Sequence, residues 1–223
     1  MASVYGMSEV GAVLNGAPET IVGGEAGFPR DGFSLRLVGA DGRDVKTGEV
    51  GELWVRPDHP ATVMRGYHNL PDKTAETLVD GWVHTGDAFR ADEHGRYFFS
   101  DRMKDALRRR GENISSFEVE RVINSHPGVF ESAVVAVPSD LTEDEIKAVV
   151  VPREEVTVTP EELTRYLVDR LPYFMVPRYV QFADGLPKTP TQKVHKHLLR
   201  AAGVDDGVWD REAAGIVLRR ADR

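Results

Sequence analysis

The residues best equipped for chemistry in this 223-residue sequence stand in a few short clusters. Tyr5, Gly6, Ser8 and Glu9 lie within five positions in YGMSE. An aromatic face there can stack a base, glycine permits close backbone approach, and Ser8 and Glu9 offer hard oxygens to a magnesium-bound phosphate. Asp87 follows the glycine of HTGD, and an ionised carboxylate can accept hydrogen bonds from two sugar hydroxyls. The stretch from Asp101 to Glu120, DRMKDALRRRGENISSFEVE, concentrates charge: Arg102, Lys104, the run from Arg108 to Arg110, then Gly111 and Glu112. Lys193 ends the Pro/Thr-rich run LPKTPTQK. Taken singly, each cluster also fits a plain role as a turn or a solvated loop.

The elements that must position these groups can be read from period and punctuation. From Ile21 to Val55 the pattern is β. Phe33, Leu35 and Leu37 alternate with polar partners, Asp41-Gly42 is a hairpin turn and Val50 to Val55 is the returning strand. A small antiparallel sheet or barrel follows. Pro71 to Val79 predicts a short helix, and Asp92 to Gly95 turns a hairpin into Tyr97-Phe98-Phe99. Ser115 with Glu118 forms a capping-box pattern, with Ile114 and Val119 at the staple positions of a helix that Pro127-Gly128 stops. Strands are expected at Glu131 to Val137, Ile146 to Val151 and Tyr179 to Phe182. A helix is expected to start at Thr159-Pro160, another from Val194 to Ala202, and a tail helix within 203–223.

Composition sets the outer bounds. With 28 basic and 36 acidic residues the formal charge is -8, which disfavours nucleic acid or an anionic membrane as partner. Local basic runs can still hold a phosphorylated small molecule. The sequence has no cysteine, so it forms no disulfide, thiolate metal site or cysteine nucleophile. No apolar run approaches a membrane span, and MASVYGMSEVG lacks the pattern of a signal peptide. A cytoplasmic location is the default expectation.

Five stretches, in this order and at these separations, resemble the adenylate-forming superfamily of acyl-CoA synthetases, peptide-synthetase adenylation domains and luciferases. They are YGMSE, GELWVRPDHPATVMRGY, HTGD, DRMKDALRRRGENISSFEVE and LPYFMVPRYVQFADGLPKTPTQK. The match runs from residue 5 to about residue 200 and is most similar to the carnitine/crotonobetaine-type and fatty-acid CoA ligases. It implies an α+β architecture: a β-rich distal part of the large AMP-binding lobe over 1–103, then a mobile α+β lobe over 104–202. It implies ATP/AMP, Mg2+ and coenzyme A as cofactors, and a carboxylic acid as substrate. By resemblance Tyr5 flanks adenine, Gly6 belongs to the same cofactor-binding stretch, Ser8 contacts the α-phosphate, Glu9 holds the metal, and Asp87 and Arg102 meet the ribose. Lys104 marks the hinge. Arg108, Gly111 and Glu112 lie where coenzyme A or nucleotide approaches, and Lys193 bridges carboxylate and phosphate oxygens.

Two departures qualify this. Gln192 stands where many members place glycine before the lysine. No Gly/Ser/Thr-rich phosphate loop ending in Pro-Lys occurs in the 223 residues. The sequence therefore reads as the C-terminal portion of an acyl-CoA ligase, not expected to adenylate alone. The alternatives are a non-catalytic nucleotide or CoA-binding module, half of a split enzyme, or a ligase whose acceptor is a carrier protein. Pairing with an N-terminal half, or self-association, is expected to cover apolar surface on residues 5–100.

Overall fold

Alternating apolar residues build the first hundred positions into strands. The computed structural model describes residues 3–16, 24–109, 112–139, 144–154 and 156–219. The chain divides into two compact units, Met1–Lys104 and Asp105–Arg223.

In the first unit the strands are β1 (Ser3–Met7), β2 (Gly11–Gly16), β3 (Glu25–Pro29), β4 (Phe33–Val38), β5 (Val50–Pro57), β6 (Leu78–Val79), β7 (Trp82–Ala91) and β8 (Tyr97–Arg102). They form one antiparallel sheet in the order β1-β2-β3-β8-β7-β5-β4, with β6 paired to β7. Of the two forms expected, the described strands make an open sheet rather than a closed barrel, because β1 and β4 end the order unpaired with each other. Leu14, Leu53, Val55, Val83 and Phe89 are fully or almost fully buried and make its core. The expected helix at 71–79 is shorter: α1 (Pro71–Thr77) stops where Leu78 and Val79 turn extended to pair with β7. Tyr5, Gly6 and Met7 lie on strand β1, and only Ser8 to Val10 form the turn.

The second unit opens with a two-stranded ribbon, β9 (Leu107–Arg109) and β10 (Glu112–Ile114). Helix α2 (Ser116–Asn124) follows, capped by Ser115 Oγ accepting from the Glu118 amide at 3.1 Å. Both staple residues, Ile114 and Val119, are buried in one cluster. Strands β11 (Val129–Val137), β12 (Glu145–Pro152), β13 (Tyr179–Phe182) and β14 (Trp209–Asp210) form a mixed sheet in that order. Only β12 and β13 run parallel, and α3 (Pro160–Val168) lies between them in sequence. The sheet is covered on both faces. Val134, Ile146, Ala148 and Val150 face one cluster with α2 and α3, while Ala133, Val149 and Val151 face a second with Leu186 and Leu199 of α4 (Lys196–Ala201). Two covered faces explain why β11 and β12 read as continuous apolar runs rather than alternating ones.

The tail departs from expectation. Trp209, Ala213 and Ile216 have helical spacing, yet the described residues 203–219 hold a short strand and turns. Arg211 causes this. It is fully buried, its Nε donates to the Pro177 carbonyl, and its guanidinium also reaches the Ile216 carbonyl. A loop curled round a buried cation supplies carbonyls that a regular helix would spend on itself. Leu218 then returns to the main core, so the tail belongs to the second unit.

Candidate functional site

In the first unit, two of the expected residues, Tyr5 and Arg102, converge on the carboxylate of a third, Asp87. The Tyr5 hydroxyl donates to Asp87 Oδ2 at 2.7 Å, and Arg102 Nε lies 3.5 Å from Asp87 Oδ1. Strand register accounts for the second contact, since Asp87 on β7 faces Arg102 on β8. The first depends on Tyr5 being seated by Phe89, whose ring meets it edge-on at 4.7 Å. Burial, then the hydrogen bond to Asp87 and its negative charge, hold the Tyr5 phenol well above the ordinary range. The hydroxyl is therefore a fixed donor, and Asp87 is a braced acceptor.

Asp87 stands on an irregularity. Glu52 pairs with Ala88 and Trp54 with His84, so Thr85, Gly86 and Asp87 together lie opposite the single residue Leu53. Gly86 takes φ +68, a left-handed conformation that favours glycine. Thr85 Oγ1 donates to the Leu53 carbonyl at 2.7 Å and accepts from the Asp87 amide at 3.1 Å. The bulge breaks the β5 side of the ladder at Asp87 while its register with β8 is kept.

Glu9 forms a second, separate node. Its Oε1 accepts from the Tyr67 hydroxyl at 2.6 Å, which with burial raises the phenol's pKa, burial contributing most. Ser8 is exposed in the neighbouring turn. Gly6 is demanded by its own hairpin: a Cβ there would stand 2.5 Å from the Gly11 carbonyl oxygen. Among the described residues no group of three acidic, histidine or cysteine side chains gathers to hold a metal. Glu9 nevertheless fits magnesium, which is commonly held by one or two carboxylates with phosphate and water completing its shell.

The other expected residues occupy varied positions. Lys104 is exposed at the end of the first unit, in the turn after β8. Arg108 and Glu112 are exposed on the ribbon that opens the second unit, while Gly111 lies outside the described residues. Lys193 is exposed at the end of a tight loop bridged by Lys188 and Val194. The Lys193 amide donates to Thr189 Oγ1 at 3.0 Å, and its carbonyl accepts from the Thr189 amide at 2.8 Å. The backbone of Lys193 is thus held while its side chain projects into solvent.

Some residues around these sites were not singled out from sequence. Tyr67 and Glu52 both lie in the GELWVRPDHPATVMRGY segment, the only sequence cue to them. Arg109 sits inside the Arg108–Arg110 run but points inward: only 2% exposed, its Nε stands 2.8 Å from Glu145 and its Nη1 donates to the carbonyls of Phe174 and Val176. Strand alternation, with Leu107 and Arg109 in and Arg108 out, would have separated these arginines.

An acceptor carboxylate is thus braced on a strand bulge of the first unit, and an exposed lysine stands on a hydrogen-bonded loop of the second. Residues 1–68 match the family model described as AMP-binding enzyme, and residues 118–193 match the AMP-binding enzyme C-terminal domain. A fatty acid–[acyl-carrier-protein] ligase from Streptomyces coeruleorubidus is 39% identical over 96% of this chain and 41% of its own length. A long-chain-fatty-acid–CoA ligase from Yersinia pestis is 38% identical over 92% of this chain and 36% of its own length. Among solved structures, o-succinylbenzoate CoA synthetase from Bacillus subtilis, in complex with its acyl-adenylate intermediate, superposes with a TM-score of 0.83. It is 29% identical, over 92% of this chain and 42% of that one. The chain belongs to the AMP-binding enzymes and is related to their acyl-CoA ligase branch, with the α+β architecture of that group. It spans about two-fifths of the length of the curated relatives it matches.

Proposed function

We propose that this chain is the C-terminal portion of an ATP-dependent acid–thiol ligase, supplying the ribose grip and the mobile lysine of a two-step reaction. In the first step a carboxylate oxygen attacks the α-phosphorus of ATP, and pyrophosphate leaves with the electron pair of the broken P–O bond. In the second, the thiol sulfur of coenzyme A attacks the acyl carbon and AMP departs. Adenylation is needed because a free carboxylate has no competent leaving group.

The observation that carries this reading is the doubly braced Asp87 carboxylate. A fixed acceptor pair suits a vicinal diol, because each hydroxyl of a ribose can donate to one carboxylate oxygen. Lys193 suits the charge that develops between carboxylate and phosphate. An ammonium aimed at that charge in a dry site is worth about 3 kcal/mol. Lys104, at the boundary of the two units, is the residue across which the second unit turns between the two steps. Arg108, Gly111 and Glu112 serve the pantetheine or nucleotide side of the second. Glu9 holds Mg2+, which when bound neutralises phosphate charge; Tyr67 orients the Glu9 carboxylate for it.

With only these 223 residues the chain is expected to bind AMP but not to release pyrophosphate from ATP and a fatty acid, for want of a phosphate loop. Calorimetric titration with AMP tests the reading: binding should be measurable and lost in Asp87→Asn. No heat with AMP in the wild-type chain would refute it. Pairing with a further segment or a second copy of the chain is part of the same reading.

A second reading keeps the adenylate and changes the thiol. The Streptomyces relative is named for ligation to an acyl-carrier protein. Surface binding of a phosphopantetheinylated carrier protein but not of coenzyme A would favour it.

A further inference from the structure

Glu52, in the GELWV segment on β5, lies against the bulge that carries Asp87. Its two carboxylate oxygens are committed to different donors. Oε1 accepts from the Gly86 amide at 2.9 Å, and Oε2 accepts from the Trp54 indole N–H at 2.8 Å. No cation pairs with Glu52 among the described residues, so the carboxylate acts as a double acceptor rather than half of an ion pair. The indole is fixed in turn, stacked on the His84 ring with centroids 3.9 Å apart and planes 14° from parallel. His84, Thr85 and Gly86 therefore each meet β5, at Trp54, Leu53 and Glu52 respectively.

The far side of the same peptide is held as well. The Gly86 carbonyl accepts from the Met103 amide at 2.8 Å, one residue before Lys104. Three residues of β7 opposite one of β5 leave the Gly86 amide without a ladder partner, and a buried or half-buried amide must find one. Glu52 provides it with a charge-assisted bond, stronger than a neutral one.

We infer that Glu52 is the positioning residue of the Asp87 bulge: it fixes the Gly86 peptide, and through it both the ribose-facing carboxylate and the Met103 backbone before Lys104. The consequence for nucleotide binding rests on the ribose reading proposed above; the structural part does not.

The test compares wild type, Glu52→Ala, Glu52→Gln and Glu52→Gln/Trp54→Phe in the 223-residue chain, by amide hydrogen exchange and by titration with AMP and 2′,3′-dideoxyadenosine monophosphate. In Glu52→Ala the Gly86 and Met103 amides should exchange about tenfold faster, the equivalent of one hydrogen bond of about 1.4 kcal/mol. Amides of β5 and β7 outside the bulge should keep their protection, which shows that the sheet still folds. AMP affinity should fall about tenfold, with affinity for the dideoxy analogue unchanged. Glu52→Gln leaves one acceptor for two donors, and removing the indole donor in the double variant should restore both readouts. Unchanged exchange at Gly86 and Met103 overturns the inference. So does an equal weakening of AMP and the dideoxy analogue, which would make Glu52 a sheet-stabilising residue only. A wild-type chain that binds neither nucleotide brings down the ribose reading, while the exchange data still decide whether Glu52 holds the bulge.

Discussion

Tyr5 and Asp87 are 82 residues apart in sequence and 2.7 Å apart in the fold, joined by a phenol that donates to a carboxylate. The relationship has a pH signature. Burial and the negative carboxylate raise the Tyr5 pKa in the folded unit above its ordinary value of 10.0. Below that value both folded and unfolded chains hold the proton, and the contribution to stability is complete. Above it the unfolded chain releases the proton first, so stability falls as pH rises. Denaturant titrations between about pH 9 and 11 should show this decline in the first unit, and Tyr5→Phe should flatten it. A wild-type profile as flat as the variant's would show that the hydroxyl is not held as described.

Lys147 gives the opposite slope. It lies on β12, only 1% exposed, with its ammonium donating to the Gly203 carbonyl at 2.5 Å. Burial lowers its pKa below 10.5, and nearby Asp205 only partly offsets that. In the window below 10.5 the unfolded chain binds more protons than the folded one, so stability rises with pH there. Lys147→Met should remove the rise and stabilise the second unit at neutral pH, if its packing is kept. Hydrogen exchange of β12 amides at several pH values measures this; an unchanged pH slope in the variant would exclude Lys147 as its source.

Part of this fold was legible in the sequence. Local rules were enough where one element decides its own state. Thr159 and Glu162 make both halves of a capping box at α3, and Tyr179 to Phe182 is the strand its composition suggests. Tyr5 and Asp87 were picked out by type and Arg102 by the family resemblance, but their convergence depends on a strand order that crosses from β3 to β8, which no local period encodes. Glu52 and Tyr67 escaped for the same reason, since a carboxylate that serves as a backbone acceptor looks in sequence like any surface glutamate; Arg109 differs, because its inward turn was encoded in strand alternation. The tail failed differently. Helical spacing was present, yet one buried guanidinium at Arg211 outweighed it.

Gln192 occupies the left-handed region at φ +63, at the position where the family resemblance implies glycine. For a non-glycine residue that conformation costs about 1 kcal/mol, and glycine costs a similar amount through its freer unfolded chain. The two nearly cancel. Gln192→Gly should therefore change the stability of the second unit by less than about 0.5 kcal/mol, whereas Gln192→Val should destabilise it by about 1 kcal/mol or more. Urea unfolding followed by Trp209 fluorescence distinguishes them. Equal stability of the Val and Gly variants would mean that the loop relaxes freely around Lys193.

Arg109 and Glu145 tie the opening ribbon of the second unit to β12. Their 2.8 Å contact is almost wholly buried, with side chains 2% and 10% exposed. An ion pair so placed gives back much of its attraction as lost hydration, so its presence is not itself a large stabilising effect. Removing one partner is another matter, because the survivor is left charged in an apolar surrounding. Arg109→Met and Glu145→Gln should each cost about 3–5 kcal/mol. Arg109 also donates to the Phe174 and Val176 carbonyls, which makes its loss the larger of the two. Arg109→Met with Glu145→Leu should recover most of that, since two apolar side chains of similar length need no counter-charge. A double-mutant cycle in urea decides the point: a double variant as unstable as the sum of the single ones would show that the two residues act independently, and that the ribbon is held by the carbonyl contacts alone.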